Sequence, residues 1–181
     1  MPRIPGVSDE DIHPKAGELL AATERKLGRV PNLFRGLAHS PAALEAYLSL
    51  GEKLSAGALS AELREKIALT MAGANQCAYC AAAHTAIGQS LSIEPAELTR
   101  ALLGDSEDPR TAALLDLTNA IVEKRGAVAD EELARARAAG ITDAEIAEVV
   151  ANVALNVLTN YFNRLAETEV DFPAVPVAEA A

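Results

Sequence analysis

Apolar residues recur along this chain at helical spacing, in segments that begin and end at residues typical of helix caps. After Ser40-Pro41, for example, Leu44, Tyr47 and Leu48 follow one another at three- and four-residue intervals. That spacing places side chains on one face of an α-helix. Alternating apolar and polar runs, which indicate strands, are nearly absent. The pattern therefore predicts an all-α protein.

About eight helices are predicted from the capping signals. Their starts are expected at Pro14, Ser40-Pro41, Ser60, Cys77, Ser92 or Glu94-Pro95, Asp108-Pro109, Asp130 and Thr142. Their ends are expected near Gly28, Leu54, Gly73, Leu91, Gly126, Gly140 and Ala166, the fifth helix being short. Proline at the first helical position, Ser, Asp or Thr at the N-cap and Gly after the last turn are the signals used. The run from Arg29 to Asn32 is predicted to be a turn.

The organisation is that of one domain. A chain of 181 residues can bury a core without disulfide or metal staples. We predict a compact helical bundle over residues 1–170, with an extended or disordered tail over 171–181. Aromatic residues are only 3% of the chain and Trp is absent. The core must therefore be built from Ala, Leu, Ile and Val, which suits close packing of helices.

Charge and hydropathy exclude two classes of partner. The net charge is −10, and so acidic a protein repels the nucleic-acid backbone, which excludes a DNA or RNA role. The polar N-terminus lacks the apolar core of a signal peptide. The longest apolar candidate, from Ile146 to Leu158, is interrupted by Glu148, Asn152 and Asn156, so no transmembrane helix is expected. These features predict a cytoplasmic protein that does not bind membranes.

The candidate chemistry lies at the start of the fourth helix. Cys77 and Cys80 are three residues apart, and His84 follows four residues later, so all three fall on one helix face. In a reducing compartment such a cysteine pair is expected to be redox-active or metal-binding rather than structural. Unpaired N–H groups at a helix start favour the reactive thiolate, and His84 can accept the thiol proton. The second thiol can close a disulfide once the first is oxidised.

Glu65 is a candidate partner for His84. It lies twelve residues before Cys77, on the preceding predicted helix. A carboxylate there can hold the imidazole in the useful tautomer. Glu62, Glu65 and Lys66 can equally form a solvated helix face. The sequence leaves both interpretations open.

These residues resemble the active-site pattern of the alkylhydroperoxidase AhpD-like branch of the carboxymuconolactone decarboxylase superfamily. The pattern is Glu65, then Cys77-Ala78-Tyr79-Cys80, then His84. Residues 30–34, 40–44 and 160–164 also resemble a subgroup described as peroxidase-related, and the resemblance places the core at about residues 40–100. It implies an all-helical AhpD-like fold.

The resemblance also implies a role for each residue of the site. Cys80 would attack the peroxide, Cys77 would resolve the product to a Cys77–Cys80 disulfide, and Glu65 with His84 would relay protons. It implies a hydroperoxide substrate, a thiol or lipoyl-type reductant, and a homo-oligomer, often a trimer or hexamer. No cofactor and no metal are required. Tyr79 occupies a position where some members carry a second His, and a phenol cannot act as that base near neutral pH.

Other functions remain as alternatives. The same cysteine pair can serve a protein-disulfide reductase or redox relay. Cys77, Cys80 and His84 can also be three zinc ligands, although a structural zinc site usually has four. Ring-lactone decarboxylation, the other activity of the superfamily, does not need two thiols. A purely structural assembly protein would leave the thiols and the imidazole unexplained.

The last predicted helix carries a stripe of asparagines. Asn152, Asn156, Asn160 and Asn163 lie on one face of an otherwise apolar segment. We predict a packing or interface role for them and no catalytic one. His13 and His39 are predicted to be surface or capping residues.

Overall fold

The computed structural model describes residues 1–175 and contains nine α-helices and no β-strand over that range, which confirms the predicted all-α class. The helices are α1 (Pro14–Leu27), α2 (Asn32–Leu37), α3 (Pro41–Ser55), α4 (Ala61–Ala74), α5 (Ala78–Ser90), α6 (Pro95–Leu102), α7 (Pro109–Glu123), α8 (Asp130–Ala138) and α9 (Asp143–Ala166). In this part of the chain, no helix is long and apolar enough to cross a lipid bilayer.

Most helices start where capping side chains satisfy the free backbone N–H groups of the first turn. Ser40 and Ser60 each accept a hydrogen bond from the N–H three residues later, at 3.2 Å. Asp108 does the same at the start of α7, at 2.8 Å. Thr142 and Glu145 form a reciprocal capping box at the start of α9. These local bonds explain why the sequence locates the helix starts.

One helix was not predicted. The run after Arg29 was expected to be a turn, but α2 begins at Asn32, directly after Pro31. No side-chain hydrogen bond caps this helix, and it has only six residues. Its apolar residues Leu33, Phe34 and Leu37 are buried. Tertiary burial rather than a local signal therefore stabilises α2.

Two boundaries also differ from the prediction. α4 continues through Gly73 and Ala74, so only residues 75–77 separate it from α5. Asp130 was expected to cap its helix but is the first residue of α8. Ala129 takes the cap position, and its N–H donates to the Glu132 carboxylate at 2.9 Å. A glutamate three residues into the helix thus replaces the expected aspartate cap.

Helix α4 is the centre of the bundle. It packs against α5, α6, α7 and α9, and residues 66–72 are all buried. At Gly73 the backbone of α6 comes so close that a Cβ would overlap the carbonyl oxygen of Leu102. α4 therefore fixes the positions of its four neighbours, including the helix that carries both cysteines.

Lys66 is a buried cation within this central helix. Its side chain is 5% exposed, and its Nζ lies 2.9 Å from Glu62 and 3.0 Å from Glu97. Burial alone would lower the pKa of Lys66, but the hydrogen bonds to the two carboxylates outweigh that effect and raise it. Lys66 therefore ties α4 to α6 as an ion-paired cation.

The core has two apolar clusters. One lies among α4, α6, α7, α8 and the first half of α9. The other lies among α1, α2, α3 and α5 and contains Cys77, Tyr79 and Cys80. Residues 171–175 are not helical, and Phe172 packs against this second cluster. Residues 176–181 of the predicted tail lie outside the described residues, and the division at residue 170 stays a prediction.

Candidate active site

Cys77 and Cys80 form a disulfide at the N-terminus of α5. Gln76 adopts a left-handed backbone conformation (φ 51°), and the N–H of Cys77 donates to Ala72 O at 2.9 Å. The chain thereby turns sharply from α4 into α5. Cys77 takes the N-cap position, and its Sγ accepts a hydrogen bond from the Cys80 N–H at 3.2 Å. An N-cap sulfur that accepts such a bond is stabilised in its anionic form.

His84 lies one turn further along α5 and meets Glu65 of α4. The Glu65 Oε2 and the His84 Nδ1 are 2.7 Å apart, and the two side chains are 17% and 21% exposed. The structure therefore brings Glu65 to the imidazole rather than onto a solvated helix face. With Nδ1 engaged by the carboxylate, Nε2 is the ring nitrogen left to exchange a proton.

Cys80 and His84 line the same cavity, which has a volume of about 270 Å³. Its walls are mostly apolar and include Leu27, Pro31, Leu33, Phe34, Ala83 and Ile87. Cys77 does not line this cavity but borders a separate depression of about 230 Å³ beside Gln76 and Arg164. The two cysteines therefore border different spaces.

A segment after α9 helps to close the cavity. The Phe172 ring packs edge-on against Tyr79, with centroids 5.7 Å apart, and Arg29 lies 4.3 Å above the same ring. Arg29 also pairs with Asp171 at 2.6 Å. No local sequence pattern predicts these contacts, because they join residues more than 90 positions apart.

Tyr79 is a wall residue and not a base. Its hydroxyl accepts a hydrogen bond from the Leu33 N–H at 3.2 Å. Burial, followed by the nearby Asp171 carboxylate, raises the pKa of Tyr79 well above its ordinary value. Burial and the charge of Glu65 likewise raise the pKa of Tyr47, on another wall, to about 12. Both phenols are therefore neutral at physiological pH.

The asparagine stripe of α9 faces inward, and one member reaches the disulfide. All four asparagines are buried, with exposures of 4% or less. Asn163 Nδ2 donates to Cys80 Sγ at 3.3 Å. The predicted packing role describes the other three, but the contact of Asn163 with the sulfur was not predicted. Only the inward orientation of α9 reveals it.

No metal site is formed by these residues. Among residues 1–175, no three His, Cys, Asp or Glu side chains are arranged to hold a metal ion. His13 accepts a hydrogen bond from the Lys15 N–H at the start of α1, and His39 bonds the Pro5 carbonyl. Both lone histidines therefore make local structural contacts, as predicted.

Comparison with known proteins finds a family similarity over part of the chain. Residues 41–123, from α3 to α7, match the model of the carboxymuconolactone decarboxylase family. No curated protein sequence matches the chain.

Solved structures share the fold over nearly the whole chain. A peroxidase-related protein with an alkylhydroperoxidase AhpD core, from Ralstonia eutropha JMP134, is 25% identical, with a TM-score of 0.84 over 94% of this chain and 92% of that one. A peroxidase-related protein from Silicibacter sp. TM1040 is 22% identical, with a TM-score of 0.79 over 92% and 88%. A variant of the debrominase Bmp8 in complex with 2,3,4-tribromopyrrole is 17% identical, with a TM-score of 0.77 over 93% and 91%. By this partial family match and the shared fold, the chain resembles the AhpD-like branch of the carboxymuconolactone decarboxylase superfamily.

Proposed function

We propose that the protein reduces hydroperoxides with Cys80 and Cys77 as its two-electron donor pair. One observation carries this proposal: Cys80 lines an apolar cavity together with His84, whose Nδ1 is bonded to Glu65. A thiol, a base and a carboxylate that orients the base form the general arrangement that activates a nucleophile. The family's AhpD-like, peroxidase-related members support the same chemistry.

The first step is attack of the Cys80 thiolate on the hydroperoxide. His84 Nε2 takes the thiol proton, and Glu65 stabilises the resulting imidazolium. The thiolate attacks the terminal oxygen of ROOH, and the O–O bond breaks. Sulfur is oxidised to the sulfenic acid Cys80–SOH, while the alkoxide leaves and takes the proton from His84 as ROH. Two electrons pass from sulfur to the peroxide.

The second step closes the disulfide. The Cys77 thiolate attacks the sulfur of Cys80–SOH, and hydroxide leaves and is protonated to water. The Cα atoms of the two residues are 5.3 Å apart in the closed pair, a distance that disulfides normally span. The sum is two thiols and ROOH giving one disulfide, ROH and water.

A dithiol of the thiol or lipoyl type would regenerate the enzyme. Cys77 borders the separate depression, so we assign the first attack to Cys77 Sγ. The reductant thiolate forms a mixed disulfide there, and Cys80 leaves as thiolate. The second thiol of the reductant then releases Cys77 and carries both electrons away as an oxidised disulfide.

The geometry favours a small substrate over a protein disulfide. Cys77 and Cys80 are only 1% and 2% exposed. Cys80 lies in a cavity of about 270 Å³, which a small hydroperoxide can enter but into which a folded protein cannot insert its own disulfide. A protein-disulfide reductase is therefore the weaker candidate.

The experiment is a single turnover with intact mass as the readout. Reduced protein receives one equivalent of an organic hydroperoxide, and thiol loss and peroxide loss are followed against time. We expect both thiols to disappear as one peroxide is consumed, with a product two hydrogens lighter. Cys77→Ser should stop at a sulfenic acid that dimedone traps, and Cys80→Ser should not react. Wild-type thiols that react no faster than free cysteine would refute the proposal.

An exposed face of α9 supports the proposed homo-oligomer. Val150, Leu158, Tyr161 and Leu165 are 39% to 62% exposed, and they lie on one side of the helix. No charged residue occurs between positions 148 and 164. Exposed apolar stripes of this length usually mark an interface, and a second copy can bury its own stripe against it. We expect Leu158→Glu to sediment as a smaller species than the wild type. An unchanged sedimentation coefficient would place the interface elsewhere.

A further inference from the structure

The buried side-chain amide of Asn163 donates one hydrogen bond to the Cys80 sulfur, and its carbonyl oxygen has no hydrogen-bond partner. It is 4% exposed, and its Nδ2 donates to Cys80 Sγ at 3.3 Å. Its Oδ1 is buried and has no hydrogen-bond partner. Buried polar atoms are nearly always paired, so an unpaired one requires an explanation.

The orientation of the amide follows from the chemistry of its neighbour. A disulfide sulfur can accept a hydrogen bond but cannot donate one, so the NH₂ of Asn163 faces Cys80. The carbonyl end must then face away from the sulfur. Asn163 lines the same apolar cavity as Cys80 and His84, and it also lines the depression beside Cys77. Because the cavity is the space that Asn163 shares with Cys80, we assign the missing donor to a ligand in that cavity.

The other asparagines of the stripe have structural partners. Asn152 and Asn156 donate to carbonyls of their own helix at 2.8 and 2.9 Å. Asn160 Oδ1 accepts from Asn75, in the turn before Cys77, at 2.9 Å. The Asn160 Nδ2 is also buried and unpaired, but Asn160 does not line the cavity. Asn163 is thus the member of the stripe that reaches a cysteine. The Asn75–Asn160 bond holds α9 beside the start of α5 and so sets the position of Asn163.

We propose that the side-chain amide of Asn163 is a further catalytic group, whose Nδ2 stabilises the Cys80 thiolate and whose Oδ1 accepts the O–H of the bound hydroperoxide. The second part rests on the proposed peroxidase function. The oxygen that carries this hydrogen is the one transferred to sulfur, so one amide positions both the nucleophile and the oxygen it attacks. The same N–H stabilises Cys80 as the leaving thiolate when the disulfide is reduced.

The first test measures the Cys80 thiol without any peroxide. In a Cys77→Ser background, thiolate absorbance against pH gives the pKa of Cys80, and iodoacetamide gives its reactivity at pH 7. Loss of one donor to a thiolate should raise that pKa by about one unit, so Asn163→Ala should slow alkylation about tenfold. Asn163→Asp should be slower still, because it places a carboxylate beside the sulfur and keeps the side-chain volume.

Asn156→Ala is the matched control for this test. It removes the same group from the same stripe, and its partner is a backbone carbonyl of α9 rather than a sulfur. We expect it to alkylate within twofold of the parent. Circular dichroism checks that each variant is folded, and the near-isosteric Asn163→Asp keeps the test valid if the alanine variant unfolds. Asn163 variants that react within twofold of the parent would overturn the thiolate part of the proposal.

The second test separates the two ends of the amide. Iodomethane replaces iodoacetamide in this test because it has no hydrogen-bond donor for Oδ1, whereas a hydroperoxide has an O–H. Asn163→Ala should therefore lose about tenfold more rate with an organic hydroperoxide than with iodomethane. Equal losses with the two reagents would overturn the role of Oδ1.

The outcomes also separate this inference from the proposed function. If the wild type does not react with hydroperoxide but Asn163→Ala still slows alkylation, the peroxidase function and the Oδ1 role fail while the thiolate role stands. If Asn163→Ala reduces hydroperoxide at the wild-type rate, the inference about Asn163 fails and the peroxidase function stands.

Discussion

Replacing Glu65 should slow the reaction of Cys80 with hydroperoxide without disturbing the fold. The carboxylate is 2.7 Å from His84 Nδ1, in a pair whose side chains are 17% and 21% exposed. A hydrogen bond to a charged group contributes about 1.5–3 kcal/mol, and each 1.4 kcal/mol changes a rate tenfold. That contribution is made when His84 becomes an imidazolium, which is the state formed as Cys80 loses its proton.

Two substitutions of Glu65 should slow the reaction to different extents. Glu65→Gln keeps an oxygen that can accept from Nδ1 but removes the negative charge, so we expect a loss near the lower limit, about tenfold. Glu65→Ala removes the acceptor as well, and we expect a loss of up to about 100-fold. Stopped-flow measurement of peroxide loss, under single-turnover conditions at pH 7, gives both values.

Glu62→Gln is the control for these variants. Glu62 lies on the same helix, is 56% exposed and pairs with Lys66 rather than with His84. Its neutral variant should react within twofold of the wild type. If Glu65→Ala also reacts within twofold, the carboxylate does not act through His84, and the proposed relay is wrong.

Three further predictions concern stability. Gly73→Ala should lower the free energy of unfolding by about 1–3 kcal/mol, measured in urea, because its Cβ would overlap a carbonyl oxygen of α6. Glu97→Gln should lower the free energy of unfolding by about 1.5–3 kcal/mol in the same assay, since the carboxylate pairs with buried Lys66 at 3.0 Å. A decrease below about 0.5 kcal/mol, the size of an ordinary surface substitution, would contradict this prediction. The hydrogen bond from Arg110, and after it that from the Thr142 N–H, lowers the pKa of the Glu145 carboxyl. The ionised carboxylate therefore adds to the free energy of unfolding above the ordinary Glu pKa of about 4.3, and this stabilisation is lost as the pH falls through the lower pKa of the folded protein. Unfolding at pH 7 and pH 3 should therefore show Glu145→Gln destabilised at pH 7 and close to the wild type at pH 3, and a constant difference would refute the assignment.

The helix starts were predictable because each depends on residues only three positions apart. Ser40, Ser60, Asp108 and the pair Thr142 and Glu145 all cap as the sequence indicates. Nine helices occur among the described residues where about eight were predicted, because α2 lacks a capping side chain. A six-residue helix that depends on burial leaves no pattern that a local analysis can detect.

The candidate site was predictable only in part, for the same reason. Cys77, Cys80 and His84 share one helix face by spacing alone, so their proximity followed from the sequence. Whether Glu65 meets His84 depends on how α4 packs against α5, and the sequence left two interpretations open. Phe172 comes from a segment more than 90 residues beyond Tyr79. No local signal places its ring on the cavity.

Helix α9 shows why the sequence pattern did not reveal the contact of Asn163 with Cys80. Amphipathic helices normally bury their apolar stripe and expose their polar one. In α9 the asparagines are buried, and apolar residues such as Leu158 and Tyr161 are 39% and 56% exposed. A polar stripe costs stability in a core unless its members find partners, and the carbonyls of α9, the turn before α5 and the Cys80 sulfur supply them. The exposed apolar stripe is the surface that we propose a second copy covers. The orientation of α9 about its own axis thus determines two proposed features together. It places Asn163 beside the Cys80 sulfur, and it places the apolar stripe on the surface where we propose the oligomer interface.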